Sequence, residues 1–489
     1  MPPFRAVAAF MSVDFPFILV AGRWRATLVM ILPSAAASLS DGVHVCAVPA
    51  AEIWQTSGAA RSLDTSGECS QLGFHLYEHP EGHLDDSASP VRMLRQLSVQ
   101  AVMDVLLREG SASRASLSRK TGLSKQTMSE VMRLLTDRGW VREGGMISGG
   151  VGRSAMRYEV DPNAGVVLGV DLGSSTIRAS LVNIAGAIVA QRDIPSDARG
   201  GQYLVDQIGA LKRELLTEGQ VPAERLLFAT VAIPGVMDPV SGRLSLAPNL
   251  DDMGALNVAE SLRQAIECKV SFENDVNAGA IGEYWETPGT RDASYAFISI
   301  GTGVGLGILV NGKLLRGATM AAGEVGYLPL GSDPFSPLSV ERGALECALG
   351  AAGISNRYHQ AGGPAGTSVR EIFERYNEGQ RAAQVTIEES ARLAALLVAT
   401  VTSVIDPARV VIGGNIGGRP ELVRLIERIL PSCTRRPVPI GMGRLGARAT
   451  VVGAAAIALG EVQNTLFSPK ELPEKRDVPV GRLQPVAAE

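Results

Sequence analysis

The chain has 489 residues and a formal net charge of −4, and 46% of its residues are hydrophobic, which gives room for two or three domains and a large core. Its five cysteines, at 46, 69, 268, 347 and 433, form no CxxC pair and no dense framework. That excludes a disulfide scaffold and fits a reducing cytoplasm.

Residues 1–90 read as a poorly ordered extension, or as the product of an upstream start, since Met93 sits where the first recognisable helix begins. Ala26 to Ala37 resembles a signal-peptide core, but Asp14, Arg23 and Arg25 exclude a membrane span. Pro80 and Gly82 break any helix that would align His75, His79 and His83 as metal ligands.

Three helices follow. Val99, Val102, Met103 and Leu106 fall at i, i+3, i+4 and i+7 and end at Gly110. The second helix begins after Ser113 and ends at Gly122. The third is capped by Ser124, buries Met128, Val131, Met132 and Leu135, and stops at Gly139. Its other face carries Lys125, Gln126, Thr127, Ser129 and Arg133, the residue types that reach base edges from a helix in a major groove. Two strand-like runs around a glycine-rich loop then make a wing, with Arg153 at its tip suited to a narrow minor groove. Residues 91–161 hold 12 Lys+Arg against 7 Asp+Glu, a local excess that suits a phosphate-facing surface.

Beyond 162 the pattern changes to strand–turn–strand. Val166–Val182 places Asp171, Gly173 and Ser175 at a tight polar turn, where backbone N–H groups and hydroxyls suit a phosphate and Asp171 suits a hydrated Mg²⁺. Phe297–Val310 repeats the logic with Gly301, Thr302 and Gly303, glycines that let backbone amides approach an anion. Gly413 and Gly414, after the apolar Val410–Ile412 strand, offer flat backbone to a nucleotide base or ribose. Between the first two loops, a strand delivers Asn274 and Asp275 to its end, ahead of a helix rich in small residues. An Asp there suits proton acceptance from a sugar hydroxyl while the Asn fixes another hydroxyl.

The order of these motifs resembles the ROK family, whose sugar kinases share an actin-like, ribonuclease-H-like fold and whose repressors add an N-terminal winged helix. The resemblance is carried by Ala232–Gly242, Ala247–Leu250, Glu273–Asn277 and the Arg316–Gly317 turn leading to Ala321–Gly326. It implies Asp275 as catalytic base, Asn249, Asn274 and Glu324 around a sugar, and Glu346 completing the pocket. Two departures stand out. Ser174, Ser175 and Thr176 replace the family's Gly-Thr-Lys in the first loop, removing its basic residue. Tyr327 stands where the family has a zinc-binding histidine, and Pro337–Ala344 replaces its cysteine cluster, so no zinc is expected. Tyr327 keeps a hydroxyl for a sugar.

The expected fold class is α/β, a winged helix-turn-helix over 91–161 followed by a two-lobed actin-like ATPase fold over 162–465, with a disordered tail over 466–489. The helix from Ala447 to Leu459 is expected to pack on the first lobe. The expected function is that of a cytoplasmic, sugar-responsive transcriptional regulator, a repressor acting as a homo-oligomer on operator DNA. It requires no cofactor and has no membrane partner. The alternative is a glucokinase-like, ATP-dependent sugar kinase with a DNA-binding appendage, which would require Mg-ATP. Asp171, Asp275 and the Gly301–Gly307 loop support that alternative; Ser174–Thr176 opposes it. A constitutive DNA binder with a scaffold body would have no need of Asn274, Asp275 and Glu324 together.

Overall fold

The computed structural model describes residues 17–22, 25–31, 45–49, 90–147, 155–238, 241, 244–245, 257–287, 294–436, 438–468 and 475–484, in two compact units, 1–84 and 85–489. The first unit, inside the segment read as an extension, contains a three-stranded antiparallel meander. Its strands are β1 (Phe17–Gly22), β2 (Arg25–Ile31) and β3 (Val45–Pro49). The runs FILV and TLVMI are rich in β-branched and large apolar residues, which favour strands over an open coil. Arg153, Asn249 and the three histidines lie outside the described residues.

The second unit opens with α1 (Pro90–Glu109), β4 (Ser111–Ser113), α2 (Arg114–Thr121), α3 (Lys125–Asp137), β5 (Val141–Ile147) and β6 (Ala155–Val160). Ser113 and Ser124 cap α2 and α3 by accepting from Ser116 N and Thr127 N, and Gly122 ends α2 in the left-handed conformation at φ 73°. The strands form a small sheet in the order β4-β6-β5. This is a winged helix, with the helix boundaries the caps dictate.

The first lobe contains β7 (Val166–Leu172), β8 (Thr176–Asn183), β9 (Ile188–Pro195), α4 (Gly201–Glu218) and β10 (Leu226–Ile233). A short ladder of β11 (Val236–Met237) and β12 (Leu244–Ser245) follows, then α5 (Val258–Ile266), β13 (Val270–Asn274) and α6 (Asp275–Glu286). The second lobe contains β14 (Ser294–Ile300), β15 (Val304–Val310), β16 (Lys313–Leu314), α7 (Pro337–Arg342), α8 (Ala344–Leu349), α9 (Ala351–Gln360), α10 (Val369–Asn377) and α11 (Arg381–Ile405). It ends with β17 (Arg409–Gly413), α12 (Gly414–Gly417), α13 (Pro420–Ile429) and β18 (Ile440–Met442). The sheets run β9-β8-β7-β10-β13 and β16-β15-β14-β17-β18. In both, the first three strands are antiparallel neighbours and the last two join in parallel. One topology used twice places two hairpin turns opposite each other.

The final helix, α14 (Ala449–Leu466), returns to the first lobe as expected but runs further than Leu459. Small residues permit close contact: a Cβ on Gly169 of β7 would lie 2.4 Å from Ala455 N, and one on Gly453 1.7 Å from Ala278 O of α6. One apolar cluster runs from Val102, Met103 and Leu135 of the winged helix through Trp285 to Val462 and Phe467, with Trp140 set edge-on to Phe467 at 5.8 Å. The winged helix is thus docked on the body by a shared core. Residues 475–484, expected to lie in a disordered tail, pack there too, because buried polar groups of α14 hydrogen-bond to their backbone. No helix among the described residues is long and apolar enough to cross a membrane.

Candidate functional site

On the winged helix, Met128, Val131, Met132 and Leu135 of α3 face the core, which leaves Lys125, Gln126, Ser129 and Arg133 exposed and Thr127 half-buried. Ser129 Oγ bonds back to Lys125 O at 2.9 Å, and Gln126 Nε2 donates to Glu130 Oε1 at 3.3 Å. Gln126, Lys125 and Arg133 therefore share one solvent-facing surface at the start of α3 and along it, where a groove-binding helix presents its side chains.

The two hairpin turns border a cavity of about 290 Å³. It collects Asp171, Gly173 and Ser175 from the first turn and Gly301, Thr302 and Gly303 from the second. Asn274, Asp275, Glu324, Tyr327 and Glu346 also line it, with Gly414. Gly413 stands behind the wall, where a Cβ would strike the Phe297 ring at 2.6 Å. The Gly413–Gly414 pair therefore serves close packing against β14 as well as the cavity edge, a reason that only the folded sheet reveals.

Asn274 caps α6: its Oδ1 accepts from Val276 N at 2.9 Å and Asn277 N at 3.1 Å, and its Nδ2 donates to Gly235 O at 3.1 Å. Its main task is to place Asp275, the first residue of α6, in the cavity. Burial raises the Asp275 carboxyl, opposed by a 2.8 Å bond from Val276 N. Glu324 is raised by burial and then by Asp275 and Glu346. Glu346 is raised by burial, countered by Val304 N at 3.2 Å and by Arg342. Three half-buried carboxyl groups facing one space present acceptors for several hydroxyl donors, and a raised carboxyl suits proton acceptance near neutral pH.

Asp171 is pushed up to about 7 by burial and then by Asp275, against the pull of Arg178. Arg178 Nη1 lies 3.2 Å from Asp171 Oδ2, and its Nε lies 3.5 Å from Asp193 Oδ2. These three residues form a row across β7, β8 and β9, each the register partner of the next. The first-loop motif does not by itself single out Arg178, a basic side chain two positions beyond Thr176. Strand alternation was the available signal, because residues 176 and 178 share a face. With its carboxyl raised toward neutrality and the Arg178 guanidinium beside it, Asp171 is a poor partner for a hydrated Mg²⁺, so the fit to Mg-ATP is poor as the side chains stand.

Tyr327 lines the cavity, but its hydroxyl donates to Glu341 O at 3.0 Å and so ties the 325–327 turn to α7. The Cys347 thiol points to Leu338 O at 3.8 Å. The residues at the zinc positions do not fit that metal, and among the described residues no three His, Cys, Asp or Glu side chains converge as ligands. Tyr327 spans the loop by a hydrogen bond instead.

Sequence comparison agrees with this geometry. A xylose repressor from Caldicellulosiruptor bescii is 26% identical over 393 residues, 76% of this chain and 97% of the relative. An N-acetylmannosamine kinase from Escherichia coli is 31% identical over 302 residues, 60% of this chain and 98% of the relative. A solved ROK family transcriptional regulator, a homolog of the E. coli MLC protein, shares the fold with a TM-score of 0.62 at 21% identity, over 77% of this chain and 97% of its own. The ROK family pattern matches residues 167–461, more than half of the sequence, and the chain belongs to the ROK family.

Proposed function

We propose that this protein is a sugar-responsive transcriptional regulator, acting as a repressor. In this reading α3 and the wing hold operator DNA, and a sugar lies between the lobes against Asp275, Glu324 and Glu346, with Asn249 and Tyr327 at its edge. The observation that carries the reading is the winged helix sharing an apolar core with a body whose cleft keeps its carboxylates. The similarity to a xylose repressor spans nearly all of that relative and makes D-xylose the first sugar to test. Arg153 is assigned to the minor groove and Lys125, Gln126, Thr127, Ser129 and Arg133 to the major groove. A homo-oligomer in the cytoplasm, with no membrane partner, completes the proposal.

A second reading has a specific observation behind it: Asp275 is retained, raised by burial, at the head of α6, as a sugar kinase would need. In that reading Mg-ATP would sit on Asp171, Ser175, Gly301–Gly303 and Gly414. The Arg178–Asp171 pair weighs against it.

ADP release separates the two. Purified protein with ATP, Mg²⁺ and a panel of pentoses, hexoses and N-acetylated sugars is expected to show no turnover above Asp275→Asn. Sugar-dependent turnover abolished by that substitution would establish the kinase. The same panel, D-xylose first, is expected to change affinity for DNA from upstream of the gene. For D-xylose or another panel member, Asp275→Asn is expected to weaken sugar binding by a factor of ten or more, since a hydrogen bond to a charged group contributes about 1.5–3 kcal/mol.

A further inference from the structure

A sugar sensor needs a physical connection between its cleft and its DNA-binding domain, and residues 476–481 contact α1 on one side and, on the other, side chains that lead to the Asn274–Asp275 corner of the cleft. Arg476 donates from Nη1 and Nη2 to Asp104 Oδ1 and Oδ2 at 2.7 and 2.8 Å, a bidentate pair with α1. The next side chain faces the other way. Asp477 accepts from Arg316 Nη1 at 3.1 Å and from Leu314 N at 3.0 Å. Arg316 Nε donates to Glu273 Oε2 at 2.9 Å. The other oxygen of Glu273 accepts from Asn274 N and Asn277 Nδ2, both at 3.1 Å. Those two asparagines flank Asp275.

A second path runs through the far end of the same helix. Trp285, in the last turn of α6, donates from Nε1 to Gly481 O at 3.0 Å. Gly481 lies against α1, where an added Cβ would stand 3.2 Å from Leu107 O, and its φ of +106° is one that side chains rarely adopt. Both ends of the helix that begins with Asp275 therefore reach α1 through one segment.

That segment is held at defined points. Gln463 Nε2 donates to Val480 O at 3.0 Å and its Oε1 accepts from Val480 N at 2.8 Å. Asn464 makes the same reciprocal pair with Arg476, at 2.9 and 3.2 Å. Gln463 and Asn464 are 5% and 8% exposed, polar residues at the end of an otherwise apolar helix, and these bonds account for them.

We propose that residues 476–481 are a coupling strap that transmits the state of the Asn274–Asp275 corner to α1 of the DNA-binding domain. Movement of that corner passes through Glu273, Arg316 and Asp477 to Arg476 and Asp104, and through Trp285 and Gly481 to Leu107. The physiological meaning rests on the sugar-sensor reading; the coupling itself needs neither sugar nor DNA to be measured. Coupling between sites commonly amounts to 5–150-fold, and a relay of part-buried ion pairs belongs at the low end of that range.

Hydrogen exchange by mass spectrometry on the full chain tests it. Arg476→Ala removes the contact with α1 and is expected to speed exchange roughly fivefold in 90–109 and also in 270–286, which Arg476 does not touch. Asp477→Asn, at the opposite contact, is expected to speed exchange in 90–109. The charge swap Asp104→Arg with Arg476→Asp is expected to restore both segments, and Lys475→Ala, an exposed neighbour, to change neither. Effects confined to each variant's own contacts would overturn the proposal. If Arg476→Ala melts the winged helix, Asp477→Asn decides the matter alone by the same criterion. Adding millimolar D-xylose to the native chain is the separate arm: no response there counts against xylose as the ligand and leaves the coupling result standing.

Discussion

The two hairpins that face each other across the cleft share a strand order and line the cleft by different means. The first turn, 173–175, projects side chains: Ser174 and Ser175 at the tip, with Asp171 and Arg178 paired across its strands. The second, 301–303, projects backbone, and its glycines are enclosed from behind. A Cβ on Gly303 would meet Glu346 Oε2 at 2.6 Å, and one on Gly305 would meet Val276 at 2.7 Å. The second hairpin is glycine-rich as much because a carboxylate and α6 press on it as because an anion approaches it. The first hairpin instead sets a charged pair, Asp171 and Arg178, beside its turn.

The largest expected effect tests the first hairpin. Burial and Asp275 raise Asp171 from an ordinary 3.8 to about 7, so protons are bound in the folded state that the unfolded state has released. The stability associated with this group is complete below about pH 4 and is lost as pH rises through about 7, a change of about 4 kcal/mol. Asp171→Asn does not titrate. Its denaturation free energy relative to the native chain is expected to rise by up to about 4 kcal/mol between pH 4 and pH 8. A difference independent of pH would show that Arg178 holds the carboxylate ionised and that the first hairpin is a fixed ion pair.

The next effect belongs to the second hairpin's backbone support. Gly414 has φ of +84°, and a Cβ there would lie 2.4 Å from Ile300 O, immediately before the turn. Gly414→Ala combines left-handed strain with overpacking against main chain and is expected to cost about 3 kcal/mol in urea denaturation. A loss below about 1 kcal/mol would mean that the turn yields, removing the contrast of a rigid second hairpin with a side-chain-built first one.

Much of this was readable before the fold. The cap at Ser124, the helix start after Ser113 and the stop at Gly122 fixed local structure, because capping is decided within a few residues, whereas the capping role of Asn274 emerged only with the fold. The two glycine turns and Asn274–Asp275 were found from short motifs on strand ends, while Glu324, Tyr327 and Glu346 came from the family resemblance. What escaped the sequence was set by register and by distance along the chain. Arg178 meets Asp171 only because β7 and β8 pair in that register. Glu273 and Arg316 lie 43 residues apart, and Arg476 and Asp104 lie 372 apart. The tail's composition predicted disorder, whereas its order depends on Gln463 and Asn464, whose burial no local pattern signals.

The smallest effect on stability gives the finest test of the contrast. Gly303 is outside the left-handed region, so alanine meets no backbone strain there. The atoms an added methyl would strike are the end of the Glu346 side chain, Oε2 at 2.6 Å and Cδ at 3.2 Å. A long side chain can swing aside, so Gly303→Ala is expected to cost no more than about 1 kcal/mol of stability, close to the effect of Ser175→Ala in the first turn. The displaced carboxylate, however, leaves Val304 N at the same time as it leaves the cluster with Asp275 and Glu324. Sugar affinity, read by titration calorimetry, is therefore expected to fall about tenfold or more in Gly303→Ala and to change little in Ser175→Ala, since one charged hydrogen bond is worth about 1.5–3 kcal/mol. If both variants keep their affinity, Glu346 supports the turn without touching the ligand. If Gly303→Ala instead loses several kcal/mol of stability, the glycine is required by the backbone. The predicted split, a nearly intact fold with impaired binding, arises only if the second turn's missing side chain is the space in which a ligand-binding carboxylate rests.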